Sequence, residues 1–224
     1  MKHPDLREEV ARVAKQLTGS GLVTGTSGNV SARTPEGDIL VTPSGIDYEV
    51  LKPEDVVLVE TGGRVREGDL EPSSETPMHT GIYRARADVG AVVHTHSTYA
   101  TTLACLGWPI PPVHYMLTTL SEDGRIPLAP YTTYGTEELA GYVSEALGAS
   151  RNACLLQNHG TITVGKNPEE AFSRTVVLEE MAEIYYKTSI AGEPVLLSAK
   201  EVEEVAAKIS GYGQTRPLPT ENEG

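Results

Sequence analysis

The segment Val92-Val93-His94-Thr95-His96-Ser97 constrains this chain more than any other. An apolar, largely β-branched run at 89–93 leads into it, and such a run reads as a buried strand. On a strand, side chains two apart share a face, so His94 and His96 look one way and Thr95 the other. Two imidazoles side by side supply half of a divalent-metal site, and further ligands must come from elsewhere. Two candidates stand out: His159, in Gln157-Asn158-His159-Gly160, and Glu75, in Ser73-Ser74-Glu75-Thr76-Pro77. The alternative is a set of hydrogen-bonded core histidines, and only the number of converging ligands separates the two.

A chain of 224 residues suits one domain, taken here as 1–224 with a C-terminal tail at about 211–224, and can bury a full core without disulfides. Cys105 and Cys154 both sit in apolar surroundings and read as buried, inert thiols of a reducing compartment. The first sixteen residues are charged and lack the apolar core of a signal peptide, and no apolar run approaches a membrane span. A cytoplasmic protein with no membrane partner is the expectation. A net charge of −13 argues against nucleic acid but leaves an anionic small substrate open, since a local site can oppose the global charge.

Taken in order, 4–18 reads as an amphipathic helix with Leu6, Val10, Val13, Ala14 and Leu17 on one stripe and charged residues on the other face. Gly25-Thr26-Ser27-Gly28-Asn29 follows, either an ordinary glycine turn or a loop whose backbone approaches a ligand. Strands are expected at 30–33 and 39–42, the second ending in the turn Pro43-Ser44-Gly45, and a hairpin at 56–60 and 64–67. A helix then opens at Thr76-Pro77 and runs to about Ala87, with Thr76 as its cap. Ser73, Ser74 and the amides of that helix start suit an anion. Glu75 there either complements the helix dipole or serves as a ligand or base, whereas His79, one turn on, reads as a packing or hydrogen-bonding partner. Helices at 97–106, capped by Ser97, and at 135–147, capped by Thr136, flank a proline-rich crossing that carries His114-Tyr115-Met116. Strands at 153–157 and 161–164 bracket His159, and helices at 168–190 and 198–209 close the chain.

Three imidazoles, with or without a carboxylate, suit Zn²⁺, with Mn²⁺ or Co²⁺ as neighbours in preference. Beside them stand three polar loops without a cluster of Lys or Arg, namely 26–29, Ser44-Gly45 and Ser73-Ser74. Backbone amides and hydroxyls can hold a phosphate without cations. A metal beside a phosphate pocket points to polarisation of a carbonyl on a phosphorylated substrate, with a nearby carboxylate to move the proton α to it.

In these stretches the chain resembles the class II aldolase/adducin family: Thr26-Ser27-Gly28-Asn29, Thr42-Pro43-Ser44-Gly45, Ser73-Ser74-Glu75, His94-Thr95-His96, His114-Tyr115-Met116, 131–135 and 155–160, in that order, with Tyr212-Gly213 extending the likeness. The resemblance implies an α/β fold of three layers, α/β/α, with a central, mostly antiparallel sheet flanked by helices. It implies a zinc enzyme, a homotetramer with active sites between subunits. That enzyme would cleave a ketose 1-phosphate of the L-fuculose 1-phosphate type to dihydroxyacetone phosphate and a short aldehyde such as L-lactaldehyde. His94, His96 and His159 would hold the metal, and Glu75 would ligate the empty metal and then act as acid/base. Gly28, Asn29, Ser44, Gly45, Ser73 and Ser74 would bind the phosphate. Tyr115 of a neighbouring subunit would protonate the aldehyde oxygen, and Tyr134 and Tyr212 would line the aldehyde pocket.

The same machinery serves aldolases for 5-deoxyribulose or methylthioribulose 1-phosphate, which differ only in the aldehyde. The family's ribulose-5-phosphate 4-epimerases carry Asp where Glu75 stands and lack the His-Tyr-Met match, while its methylthioribulose-1-phosphate dehydratases keep a Glu and the histidines. Adducin-like modules lack the histidines altogether.

Overall fold

The computed structural model describes residues 1–209. The tail expected at 211–224, and Tyr212 within it, lie outside the described residues.

Alternate strand positions feed two different cores. The eight strands are β1 (Asn29–Arg33), β2 (Ile39–Val41), β3 (Val57–Val59), β4 (Val65–Glu67), β5 (Ala91–Thr95), β6 (Leu128–Ala129), β7 (Ala153–Leu156) and β8 (Gly160–Gly165). They form one sheet in the order β4-β3-β2-β1-β5-β8-β7-β6. Neighbours are antiparallel except the β6–β7 pair, which is parallel. Val30, Ala32, Leu40, Leu58, Ala91 and Val93 pack beneath helix α1 (Pro4–Gly19) and the start of α5 (Pro168–Ala191). Ala153 and Leu155 extend that side under α3 (Thr98–Leu106) and the rest of α5. The intervening residues Ile39, Val41, Val57, Val59, Val92, Cys154, Leu156, Ile162 and Val164 face α2 (Thr76–Ala85) and α4 (Glu137–Leu147). This period-2 division is what a sheet covered on both sides requires, and it makes three layers, α/β/α. Each fully buried Val or Leu contributes about 1.5–3 kcal/mol relative to exposure.

His94 lies at the centre of that sheet. β5 pairs with β1 and β8, which sets Asn29 and Ile162 on either side of His94. Its parity is that of Val92, so its ring enters the layer of α2. The end of β5, the turn between β7 and β8 and the start of α2 meet there.

Several local expectations are corrected. Helix α2 ends at Ala85 rather than Ala87, and its N-cap position is held by Glu75, not Thr76, without a side-chain cap bond. Ser97 does occupy the N-cap of α3, but its hydroxyl makes no cap bond. Thr136 caps α4 as expected, accepting from the Leu139 amide. Arg7 is not on the solvent face of α1: it is buried, donating to the Val56 carbonyl and, at 2.9 Å, to Glu67. Cys154 is buried, and burial pushes its thiol up to about 12, but Cys105 is exposed and both are free.

Candidate active site

Three ring nitrogens and one carboxylate converge where these elements meet. Ligating atoms of His94, His96 and His159 lie within 4.8 Å of one another. His94 Nε2 stands 3.0 Å from His96 Nε2 and 3.0 Å from Glu75 Oε2, and His159 Nε2 stands 3.1 Å from Glu75 Oε1. The rings meet edge to face, with centroids 4.8–5.1 Å apart. His94 is fully buried and His96 faces the opening.

The tautomer of His94 decides what the cluster can hold. Its Nδ1 lies 2.9 Å from the Thr161 carbonyl, which can only accept, so Nδ1 carries the hydrogen and Nε2 a lone pair. That lone pair points at a carboxylate oxygen and at a second imidazole nitrogen. Glu75 Oε1 is itself buried and receives no hydrogen bond. Electron pairs gathered in this way need a cation among them, and a donor set of three imidazoles with a carboxylate fits Zn²⁺ or a neighbouring divalent metal. Burial acts to raise Glu75, and the opposing pull at the His94 and His159 rings, which lowers its carboxyl well below the usual range, demands positive charge there, charge that a bare Nε2 lacks and a bound cation supplies. Burial, with His94 and His159 alongside, lowers His96 to about 4, which leaves its ring neutral and able to ligate.

Local chain chemistry produces this convergence. Asn158 takes a left-handed conformation, φ 54°, which Asn tolerates better than most residues, and so closes the short turn that projects His159. A Cβ at Gly160 would overlap the Thr95 carbonyl oxygen and fall 2.7 Å from His96 Cδ2, so only glycine lets β8 approach the ligand strand. Gly28 has φ 82°, and a Cβ there would stand 2.7 Å from the His94 carbonyl oxygen. Its own carbonyl accepts from the buried Tyr48 hydroxyl at 2.7 Å, which ties the 26–29 loop to the core.

A cavity of about 270 Å³ opens beside the histidines. Its walls include Thr26, Ser27, Gly28, Asn29, Ser44, Gly45, Ser73, Ser74, Glu75, His96, Tyr134 and His159. All six residues expected at a phosphate thus share one space with Glu75, His96 and His159 and with Tyr134. Among the described residues, the N–H groups of Gly28, Gly45 and Ser74 donate to nothing else. The expectation for the helix start is corrected: the Thr76 amide goes to the Ser73 carbonyl, Pro77 has none, and the Met78 amide goes to the Glu75 carbonyl. The free donors come from loops instead. Tyr115 does not line this cavity; it is half exposed on the 3₁₀ turn Tyr115–Thr119, its ring 4.7 Å from His114. Two larger cavities, of about 640 and 710 Å³, lie around Trp108 and Tyr185 and around Leu197 and Val202, and among the described residues neither gathers a metal donor set.

Behind Glu75 lies a buried polar chain. Asn29 Nδ2 donates to Glu75 Oε2 at 2.9 Å, Asn29 Oδ1 meets His79 Nε2, and His79 Nδ1 lies 2.6 Å from the Ser31 hydroxyl, itself 2.8 Å from that of Tyr83. His79 is thus the hydrogen-bonding residue expected, while Ser31 and Tyr83 were missed. The signal was present: Asn29 and Ser31 are two apart on β1, and His79 and Tyr83 four apart on α2, so each pair shares a face.

The family model of the class II aldolase and adducin N-terminal domain matches residues 8–186. The chain belongs to this family. Within it, the chain is 45% identical over 209 residues to the 5-deoxy-D-ribulose 1-phosphate aldolase of Bacillus thuringiensis serovar kurstaki, covering 93% of this chain and 97% of that one. It is 42% identical to the 5-methylthioribulose-1-phosphate/5-deoxyribulose-1-phosphate aldolase of Rhodospirillum rubrum, over 96% of each chain. A solved L-fuculose 1-phosphate aldolase superposes with a TM-score of 0.89 at 39% identity, over 94% of this chain and 98% of that one. The class II aldolase fold is therefore shown, and the chain stands among the family's aldolases, carbon–carbon lyases. No helix of the described residues is long and apolar enough to cross a membrane.

Proposed function

We propose that this chain is a zinc-dependent aldolase that reversibly cleaves a ketose 1-phosphate to dihydroxyacetone phosphate and a short aldehyde. The observation that carries the reading is the shared cavity: Glu75, His96 and His159, backed by the buried His94, open into one space with a cationless cradle of three free N–H groups. His94, His96 and His159 hold the metal, and Glu75 joins them when no substrate is bound. The bound metal supplies Lewis acidity toward the ketose oxygens on which charge develops as the carbon–carbon bond breaks.

The remaining work falls to the chain. Gly28, Gly45 and Ser74 offer N–H groups to the phosphate, with the Ser44 and Ser73 hydroxyls and Asn29 at the same wall. That remote binding energy orients the reacting end. Glu75, kept ionised by its neighbours, moves the proton at the hydroxymethyl carbon of dihydroxyacetone phosphate. Tyr115 stands exposed, as a group reaching into a neighbouring subunit's site must, and protonates the aldehyde oxygen there. Tyr134, exposed at the cavity mouth, lines the aldehyde end. The chain 1–224 acts as one domain in a cytoplasmic homotetramer with sites between subunits.

L-Fuculose 1-phosphate is one candidate substrate. The relatives at 45% and 42% identity favour a second with equal weight, 5-deoxyribulose or methylthioribulose 1-phosphate. A panel of L-fuculose, L-rhamnulose, D-ribulose, 5-deoxyribulose and methylthioribulose 1-phosphates, offered to zinc-loaded protein, decides between them. Chelator-sensitive release of dihydroxyacetone phosphate from one member fixes reaction and aldehyde together. Release from none, with zinc bound, excludes the aldolase reading.

A further inference from the structure

We propose that His79 is the positioning residue of this site: through Asn29 it fixes which oxygen of Glu75 is tethered and which is left open for proton transfer. The inference rests on the reading of Glu75 as the acid/base.

The hydrogen-bond directions follow one from another. An ionised carboxylate only accepts, so the group of Asn29 that lies 2.9 Å from Glu75 Oε2 is its NH₂. The Asn29 carbonyl oxygen must then face His79 Nε2, which has to carry the hydrogen. His79 Nδ1 is left with a lone pair, and the Ser31 hydroxyl, 2.6 Å away, donates to it. Ser31 Oγ in turn accepts from the Tyr83 hydroxyl at 2.8 Å. Each of these residues is buried, so no water competes for the bonds. Burial also lowers His79 to about 3, which keeps the ring in its single-donor form.

The consequence is an asymmetric carboxylate. Oε2 is committed to Asn29, whereas Oε1 faces the cavity-lining His159 ring 3.1 Å away and has no tether of the Asn29 kind. Asn29 is also part of the cavity wall. A reversed Asn29 amide would turn a carbonyl oxygen toward the carboxylate and push it away, and the Nε2–H of His79 opposes the reversal by bonding the Asn29 carbonyl oxygen. The His79 ring lies outside the cavity wall and its side-chain bond toward the site is the one to Asn29, so its influence on the Glu75 carboxylate passes through Asn29.

Two variants of similar size separate positioning from packing. In His79→Gln the side-chain amide stands where Nε2 stands and still donates to Asn29. In His79→Asn the shorter amide stands where Nδ1 stands, meets Ser31 and leaves Asn29 unheld. The assay is hydrogen exchange at the hydroxymethyl carbon of dihydroxyacetone phosphate in D₂O, with kcat and KM resolved, together with zinc content and melting temperature. His79→Asn should lower kcat for exchange about 10- to 100-fold, while His79→Gln stays near the wild-type rate, with equal zinc in both. A residue that only packs predicts equal losses in the two variants, and equal losses, or none, would overturn the proposal. Should His79→Asn not fold, ¹⁵N chemical shifts of the histidine rings in the unaltered protein decide: His79 must show a protonated Nε2 and a bare Nδ1, and the opposite tautomer overturns the assignment. Glu75→Gln is run alongside. Undiminished exchange in that variant overturns the reading of Glu75 as base, and this inference with it; lost exchange there, with His79→Asn unimpaired, overturns this inference alone.

Discussion

Glu75 Oε2 lies 3.0 Å from His94 Nε2, an atom with no hydrogen to give because the Thr161 carbonyl has claimed the one on Nδ1. Without a metal the two atoms set lone pair against lone pair. With one, both lone pairs find the same cation. Stripping the metal should therefore destabilise the fold, and restoring it should stabilise by mass action, reaching about 4 kcal/mol at a thousandfold excess over the dissociation constant. A melting curve of chelated protein titrated with Zn²⁺ checks this. An unchanged midpoint alongside measured zinc binding would remove the cation from the structural role given to it.

Glu75→Gln keeps three imidazoles for the metal but removes the base. Zinc content should be unchanged, and exchange at dihydroxyacetone phosphate should fall by about 10²–10⁴, the range of general acid–base contributions. Tyr115→Phe should show the reverse pattern, sparing exchange and slowing aldehyde release. Equal losses in both assays would exclude the separate role of Tyr115.

The common orientation of His94 and His96 was legible because a strand has a fixed period: once 89–93 is a buried strand, they share a face whatever the rest of the chain does. The three layers were carried by the family resemblance, and the alternation of Val92 and Val93 between two cores accounts for them physically. What local pattern could not supply was who uses each backbone amide. The start of α2 looked free for an anion, yet the Ser73 and Glu75 carbonyls take its donors, and the unpaired N–H groups are on loops far apart in sequence. Cys105 was misread for a related reason. It sits in an apolar run, but it is on the outward face of α3, where Leu103 and Ala104 rather than Cys105 turn inward.

Acid should weaken the metal-free fold through its buried imidazoles. Burial, with His94 nearby, lowers His79 to about 3, against the ordinary imidazole value of about 6.5. Between those limits the unfolded chain binds a proton that the folded chain refuses, so stability rises with pH across the window and is lost as pH falls from about 7. His79 alone gives a slope of up to about 1.4 kcal/mol per pH unit, and His96, lowered to about 4, adds in the same sense. Glu75 enters only below the ordinary carboxylate range, because its pKa is lowered too. Urea midpoints of chelated wild type and His79→Gln between pH 7 and 5 should show the shallower slope in the variant. Parallel slopes would mean that His79 accepts a proton in the folded state.

Gly160→Ala tests whether the metal geometry is set by the backbone. A Cβ at 160 would overlap the Thr95 carbonyl oxygen and lie 2.7 Å from His96 Cδ2 and 3.2 Å from His94 Cε1. The first obstacle is main chain in the middle of the sheet, so β8 and β5 must separate rather than a side chain rotate. Overpacking of this kind costs about 1–3 kcal/mol. The same displacement moves His94 on β5 and His96 just past its end relative to His159 on the turn that Gly160 completes. Zinc affinity should therefore fall more steeply than the melting temperature of the chelated protein, and activity should follow zinc. Competition with a chromophoric chelator gives the affinity, and calorimetry of the metal-free form gives the stability. A variant that binds zinc as tightly as wild type would show that the ligands adjust independently of the strand register.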